Sequence, residues 1–544
     1  MIDHFPTTKD FQKNQRLKRN LITWLSILGV CLVVGAMTAM AILLPQTEPS
    51  KILLGSFAII LCITLPVLIC YYPRFGLYLL LIGAMLCPGT HEPGTPTMPT
   101  SYIPFWWNMS TIGWYNMGTR ALTGLAISPA EIIAVLTFTT WLVRGVALRQ
   151  FQWRSGAFFW AIAAYMLMVV AGFINGVSHG ANETMALYEV RGQAYFFMMY
   201  LMAVNLITDK RHLMMMLWTI VICNGIQGIF GSITYAVQHD SIGEDGFMAH
   251  DESLILNLIF FVAIMASTLG IDRRLKVAAY VLSPMALIAV LGNQRRASIA
   301  AFLIAFIPLM PMLWVLIKEK RKQIGTLTLI FAALSSIYMP IAWNATGAWA
   351  LPARAIRSQT DPNRRDEASN TYRSSENYDL TVTRDVSPII GYGYGKPFLQ
   401  PVPLPQVTTD FVLFMPHNSI LWVWMRIGHI GFFLFWIMIA VFLVRGLEII
   451  KITRAPETRM VGLLALLMVL MMLTFGKYDL ALVDLRVLSI AALLLGALAR
   501  LPRAEQHSHS DDGDAIVEAD ESDTDDDLPY GQPGHIRQSG PIQI

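Results

Sequence analysis

The chain reads as long apolar runs interrupted at fairly regular intervals by short polar segments, most of them basic. The runs are about 17–25 residues long, the length of helix that crosses a bilayer core of about 30 Å. Segments of about ten residues with alternating polarity, the signature of a membrane β-barrel, are not visible. The pattern therefore predicts an all-α, polytopic integral membrane protein with about fourteen transmembrane helices, near 21–44, 52–71, 75–87, 128–147, 157–174, 192–208, 213–236, 253–270, 275–292, 297–317, 325–343, 417–445, 460–475 and 482–500. The third run is short for a span.

The polar segments orient these helices. With the N-terminal KNQRLKRN in the cytoplasm, the alternate loops carry Arg74, RGVALRQFQWR, TDKRH, IDRRLK, KEKRK, RGLEIIKITRAPETR and RLPR. Each is basic, as the positive-inside rule requires. The outer side then receives the two longest loops. Residues 88–127 are rich in Pro, Gly, Trp and Tyr and suit the membrane interface, while residues 344–416 are polar and arginine-bearing and too long for a simple connector.

Composition agrees. Of 544 residues, 55% are hydrophobic and 14% charged, against about a quarter charged in soluble domains. The net charge of +3 hides an asymmetry: the segment from Ala504 onward holds eleven of the 37 acids and one of the 40 bases. Residues 1–20 thus read as a cytoplasmic N-terminus, 21–503 as the transmembrane domain and 504–544 as a disordered acidic cytoplasmic tail. The first apolar run is long enough to act as a start-transfer helix without cleavage. The five cysteines lie in or beside apolar runs without CxxC spacing and read as packing residues. His507 and His509 read as part of a solvated tail. No His/Asp/Glu cluster has metal-ligand spacing, so no metal or other cofactor is expected.

The clearest anomaly is GNQRRAS, 292–298, a short outer loop holding Arg295 and Arg296 and no acid. Two guanidinium forks there suit an anionic ligand such as a diphosphate, the alternative being snorkelling toward headgroups. Arg191 stands at the outer edge of the span at 192–208, with Glu189 near enough to pair with it. Glu131, in an apolar run near the outer surface, is another candidate partner for an arginine. MPHNSILWVW puts His417 at the outer mouth of a helix capped by Asn418 or Ser419, where it can act as a general base or simply bond to loop backbone. His250, beside Asp251 and Glu252, is a rival base. IGHIG, 427–431, has two glycines able to break that helix. GYGYGKPF, 391–398, reads as a tight turn whose Tyr392 and Tyr394 are candidates for stacking on sugar rings.

Taken in order, QRRAS opening a late span, a long outer loop ending in SPIIGYGYG, then HNSIL and a glycine-bearing helix resemble the O-antigen ligase and polymerase superfamily, over residues 185–445. The resemblance implies a GT-C-like membrane glycosyltransferase with a large outer loop. Such an enzyme moves glycan from a polyprenyl diphosphate carrier to an acceptor hydroxyl on the outer, periplasmic face of the bacterial inner membrane. It implies catalytic roles for Arg296 with Arg295 on the diphosphate, for Arg191, and for His417 as base. Arg373 matches an arginine of the family's large loop. Together with Asn418, Tyr392, Tyr394 and His250 it is assigned to substrate binding. Arg426 departs from the pattern, because many relatives carry an acid at that position. The acceptor remains open between a glycan chain (polymerase), a lipid A core (ligase) and a protein. Membrane lipids are expected partners and nucleic acid is not. The competing class is a lipid-linked oligosaccharide transporter or flippase without catalysis, which would favour paired charges at the midplane and inverted repeats.

The topology has a direct test. Single cysteines at Ser374 and Ser508 should label from opposite sides of the membrane with an impermeant thiol reagent; labelling of both from one side would overturn the fourteen-span arrangement.

Overall fold

A computed structural model describes residues 64–88, 100, 103, 105–106, 127–149, 153–238, 246–345, 347–404 and 413–500. The predicted spans at 21–44 and most of 52–71, the N-terminal segment, most of the 88–127 loop and the acidic tail lie outside the described residues.

Within them the chain is helical, with no strand. The principal helices are α1 (Pro73–Leu86), α2 (Pro129–Ala147), α3 (Phe159–Ser178), α4 (Glu183–Leu206), α5 (Lys210–Gln238), α6 (His250–Leu269), α7 (Arg273–Gly292), α8 (Arg296–Leu316), α9 (Arg321–Ala342), α10 (Leu351–Arg357), α11 (Arg364–Val386), α12 (Ser419–Ile452), α13 (Pro456–Gly476) and α14 (485–500). Among the described residues, nine helical segments are long and apolar enough to cross a membrane. The protein is an all-α polytopic membrane protein. The α6 and α13 helices form its enclosed centre, and α9 is almost wholly exposed on the outside of the bundle.

The sequence places most helix boundaries within a few residues; α4 is the exception. It starts at Glu183, nine residues before the predicted span, capped by the Asn182 side chain, which accepts from Met185 N–H at 3.1 Å. Hydropathy misses these first turns because they carry Glu189 and Arg191, each of which pairs with a residue on another helix. Arg191 therefore stands inside a helix and not ahead of one.

The helix ends sort into two layers. One layer gathers the C-termini of α1, α5, α7 and α13 with the N-termini of α6, α8, α12 and α14. There Arg486 donates to Ala84 O at 3.0 Å and pairs with Asp251 at 2.9 Å, and Ser419 Oγ donates to Gly476 O at 2.9 Å. The opposite layer holds the basic turns, where Lys210 pairs with Glu457 at 3.4 Å and Lys320 donates to Ser267 O at 3.1 Å.

The long polar loop is itself helical. The α11 helix starts at Asn363, whose side chain accepts from Asp366 N–H at 2.8 Å, and packs along α12, while α10 packs on α8. Its buried positions are Asp366, Glu376, Asp379, Leu380 and Thr383, a stripe at helical spacing made mostly of polar groups.

After α11 the chain meets a break in α12. Gly428 sits at φ 66°, ψ −171° inside the helix, which frees backbone groups on both sides. The 388–395 loop takes them up: Tyr392 N–H donates to Met425 O at 2.8 Å, Gly393 N–H to Arg426 O at 3.1 Å, and His429 N–H donates to Pro388 O at 2.7 Å. Close approach requires glycine on both strands of this contact. A Cβ on Gly428 would lie 2.4 Å from Gly391 N, and one on Gly391 2.3 Å from Arg426 O. GYGYG is thus a backbone splint for the broken helix, a tight turn as its sequence predicts.

Gly428→Ala should therefore cost more than its positive φ alone. Gly180 has φ 77° but open space around it. Gly180→Ala should lower the detergent unfolding temperature slightly and Gly428→Ala by a further amount corresponding to roughly 1–3 kcal/mol. Equal effects would mean that the splint tolerates displacement.

Candidate functional site

The α7–α8 turn that carries the arginine pair is held from below. Asn293 Oδ1 accepts from Phe247 N–H at 3.1 Å and Met248 N–H at 2.8 Å, and its Nδ2 donates to Ser253 Oγ at 2.8 Å. Asn257 Nδ2 donates to Ser298 O and Ser298 Oγ, both at 3.0 Å. These buried amides on α6 and the turn fix the start of α8. Arg295 is its N-cap residue and Arg296 its first residue, both partly buried.

Arg296 is not uncompensated, as the sequence suggests, because α11 brings Asp366 to 3.3 Å from Nη1. The surroundings remain rich in positive charge. Arg354, Arg365 and Arg373 are all close enough to repel Arg296. Arg373 hydrogen-bonds Ser369 at 3.0 Å and lies within electrostatic reach of both Arg296 and His417.

His417 is held by a carboxylate that hydropathy does not reveal. Its Nδ1 lies 3.1 Å from Glu376 Oε1, and its backbone N–H donates to Glu376 Oε2 at 3.1 Å. Glu376 is wholly buried, whereas the His417 side chain is 32% exposed, packed edge-on against Tyr372 at 5.6 Å between ring centres. Asn418 caps α12 by accepting from Leu421 N–H at 3.1 Å and donates to Asn377 Oδ1 at 2.9 Å. Burial disfavours the charged imidazole. The hydrogen bond and charge of Glu376, with Asp479 behind them, outweigh that and hold the His417 pKa above the ordinary histidine value, against some opposition from Arg373. With Nδ1 facing Glu376, Nε2 is the nitrogen free to exchange a proton with a ligand.

A second histidine–carboxylate pair stands beside the first. His250 Nδ1 lies 2.6 Å from Asp479 Oδ2. Burial alone would raise the Asp479 carboxyl, but the charge and hydrogen bond of His250, the Leu480 N–H and the charge of His417 bring it down to about 2. Asp479 therefore links the rival histidines electrostatically. Arg296, Arg373, His417, Asn418 and His250 are thus drawn from four separate segments into one layer.

The other predicted site residues are placed differently. Arg191 pairs with Glu131, the capping-box acid at the head of α2, and lies beside the Tyr188 ring. Glu189 pairs instead with Arg426 at 2.5 Å, both wholly buried. It also accepts from Gly395 N–H at 2.5 Å and Trp422 Nε1–H at 3.0 Å. Arg426 donates further to Gly393 O at 2.9 Å and Phe414 O at 3.0 Å. Arg426 is thereby a structural tie between α4, the glycine loop and α12. Tyr394 is fully buried against Trp422, with no ring face left for a sugar, and Tyr392 is partly buried under Lys396. Among the described residues, no group of three or more His, Cys, Asp or Glu side chains is arranged to hold a metal ion.

Sequence reasoning misses Glu376, Asp366, Tyr372 and Asp479. The first three share α11, and the spacing of Tyr372 to Glu376 places both on one helix face. The signal was present as a polar period, which a search for apolar periodicity passes over.

The fold and this layer define a polytopic membrane protein with a polar, arginine- and histidine-bearing site at one end of its bundle. Residues 279–436 match the family described as O-antigen ligase, and this match supports the O-antigen ligase-like superfamily and, in general terms, a membrane protein of glycan transfer. The matched stretch runs from α7 to just beyond the break in α12 and includes Arg295, Arg296, Arg373, Glu376, His417 and the glycine loop, but neither Arg191 nor His250. No curated protein matches the chain.

Replacing Glu376 isolates its effect on the histidine. Glu376→Gln removes the negative charge that raises the His417 pKa while burial and Arg373 remain, so the pKa should fall. Titration of ring-labelled histidine by NMR, with His417→Gln to assign the signal, would show this; an unchanged or raised value would mean that Glu376 does not control the ring.

Proposed function

We propose that the protein is a glycosyltransferase that moves a glycan from a polyprenyl diphosphate carrier to an acceptor hydroxyl at the outer face of the bacterial inner membrane, as an O-antigen ligase or a surface-polysaccharide polymerase. The observation that carries the reading is His417 held by the buried carboxylate of Glu376 in the same layer as Arg296 and Arg373. The outward assignment of that layer rests on the basic turns at the opposite end of the bundle.

In this reading neutral His417 accepts the proton of the acceptor hydroxyl at Nε2. The acceptor oxygen attacks the anomeric carbon from the face opposite the leaving group and forms the new glycosidic bond. The bond between that carbon and the diphosphate oxygen breaks, the electron pair leaves with the polyprenyl diphosphate, and the proton ends on His417. Glu376 steadies the imidazolium so formed. Arg296 and Arg373, with Arg295 beside them, offset the charge on the departing diphosphate. The leaving group is already stable as an anion, so charge neutralisation and one base suffice for the step. Neutral His417 is the active form, so the rate should rise with pH through its elevated pKa.

Transfer from purified lipid-linked glycan provides the test. His417→Ala should lower turnover by roughly 10²–10⁴-fold, the range for a positioned base, with carrier affinity almost unchanged. Arg296→Lys keeps a charge for Asp366 but loses the fork, and should weaken carrier binding. Normal turnover in His417→Ala would remove the proposed base, and a wild-type protein that moves carrier across vesicles without cleaving it would favour a transporter.

A further inference from the structure

At the end of the bundle opposite His417, three arginines from three segments converge on one cavity of about 450 Å³. This lies within the range of roughly 300–1,000 Å³ typical of small-ligand sites. Arg74 comes from α1, Arg144 from the last turn of α2 and Arg154 from the segment before α3, and the C-terminus of α4 closes the floor. Leu206, in that floor, is about 25 Å along α4 from Glu189. The cavity belongs to a different layer from the transfer site.

The cationic wall is built by the fold. Arg74 Nε donates to Leu206 O at 3.0 Å and Nη2 to Thr208 Oγ1 at 2.9 Å. Arg144 Nη1 donates to Tyr71 O. Asn205 clasps the backbone of Arg154, accepting from its N–H at 3.1 Å and donating to its carbonyl at 2.9 Å. A guanidinium has five N–H donors; these bonds use two of Arg74's and one of Arg144's. No Asp or Glu is among the described residues that line the cavity. Helix C-termini attract arginines as caps, but capping accounts for one contact at each end and not for three guanidinium-bearing segments around a shared space.

The rim indicates what enters. Trp141 stacks at a tilt on Trp153, 6.0 Å between ring centres, and Tyr72 is 67% exposed. Tryptophan and tyrosine prefer the level of lipid headgroups. Val143 and Val146, beside the lining residues Arg144 and Gly145, are 64% and 65% exposed on the outward side of α2. An apolar surface thus runs up to a cationic hollow, the geometry for an anion attached to acyl chains.

We propose that this cavity binds the phosphate of an acidic phospholipid headgroup, with the acyl chains lying along α2. The shared chemistry, a phosphate ester between guanidinium groups, also fits a soluble phosphate compound, and the experiment separates the two. The full chain would be extracted from vesicles of equal phosphatidylglycerol and phosphatidylcholine and its retained lipid read by native mass spectrometry. Phosphatidylglycerol should be retained at least tenfold over phosphatidylcholine. Arg144→Gln should reduce that retention about tenfold, and the exposed Lys451→Gln, at the same end of the bundle, should not. Arg154→Gln provides a second variant should Arg144→Gln fail to elute as a folded monodisperse protein. Equal retention of the two lipids by wild type would overturn the proposal, as would retention unchanged in both arginine variants. Displacement of the lipid by millimolar glycerol phosphate would overturn the lipid source and assign the cavity to a soluble anion.

Discussion

A membrane-spanning helix that breaks must have its freed backbone groups taken up by protein, because lipid offers them no partner. The break in α12 at Gly428 imposes that requirement on everything around it. The glycine loop is drawn against the break, since only a chain without side chains at Gly391 and Gly428 approaches so closely. The loop in turn is tied to α4 by Glu189 and to α12 by Arg426, a buried ion pair that also bonds Gly393, Gly395, Trp422 and Phe414. Removing one partner of such a pair typically costs about 3–5 kcal/mol. The unusual arginine is therefore paired and serves the architecture.

The same break gives the site its precision. The stretch of α12 before Gly428 is a short helix of its own, with Asn418 as its cap and His417 at its mouth. Because α11 leads directly into the glycine loop, anchoring that loop also fixes α11 along α12. Glu376 and Asn377 then reach His417 and Asn418, while Asp366, ten residues earlier, reaches Arg296. One polar helix thus positions both the histidine and the arginine. Tuning of the histidine follows from burial of Glu376: a buried carboxylate has few ways to be stabilised other than its paired imidazole.

The bundle separates two kinds of cationic chemistry. At one end, arginines gather near histidines and carboxylates, with Asp366 on Arg296, Glu376 on His417 and Asp479 on His250. At the other, Arg74, Arg144 and Arg154 stand around a hollow with an aromatic rim and no acid among the described residues that line it. The proposed transfer belongs to the first arrangement and the proposed binding of a lipid headgroup to the second. Long helices run between the two layers.

The sequence by itself determined the helices, since apolar runs of membrane length have one structural solution, and the sorting of basic turns to one end, since each span reverses the chain. It also exposed Arg296 and His417, because a charge or a histidine at a span's edge stands out against an apolar background. Only the tertiary structure decided the partners. Glu376 and Asp366 lie on a helix whose buried face is polar and so has no hydropathic signature. Glu189 is two residues from Arg191 in the chain, yet pairs with Arg426, and Arg191 pairs with Glu131, because helix geometry points neighbours two apart to different faces. Tyr394, a candidate for stacking on sugar in a loop that reads as a tight turn, is buried because that loop is pressed into the broken helix. Such pairings join residues up to 237 positions apart, and a one-dimensional pattern carries no information about which faces meet.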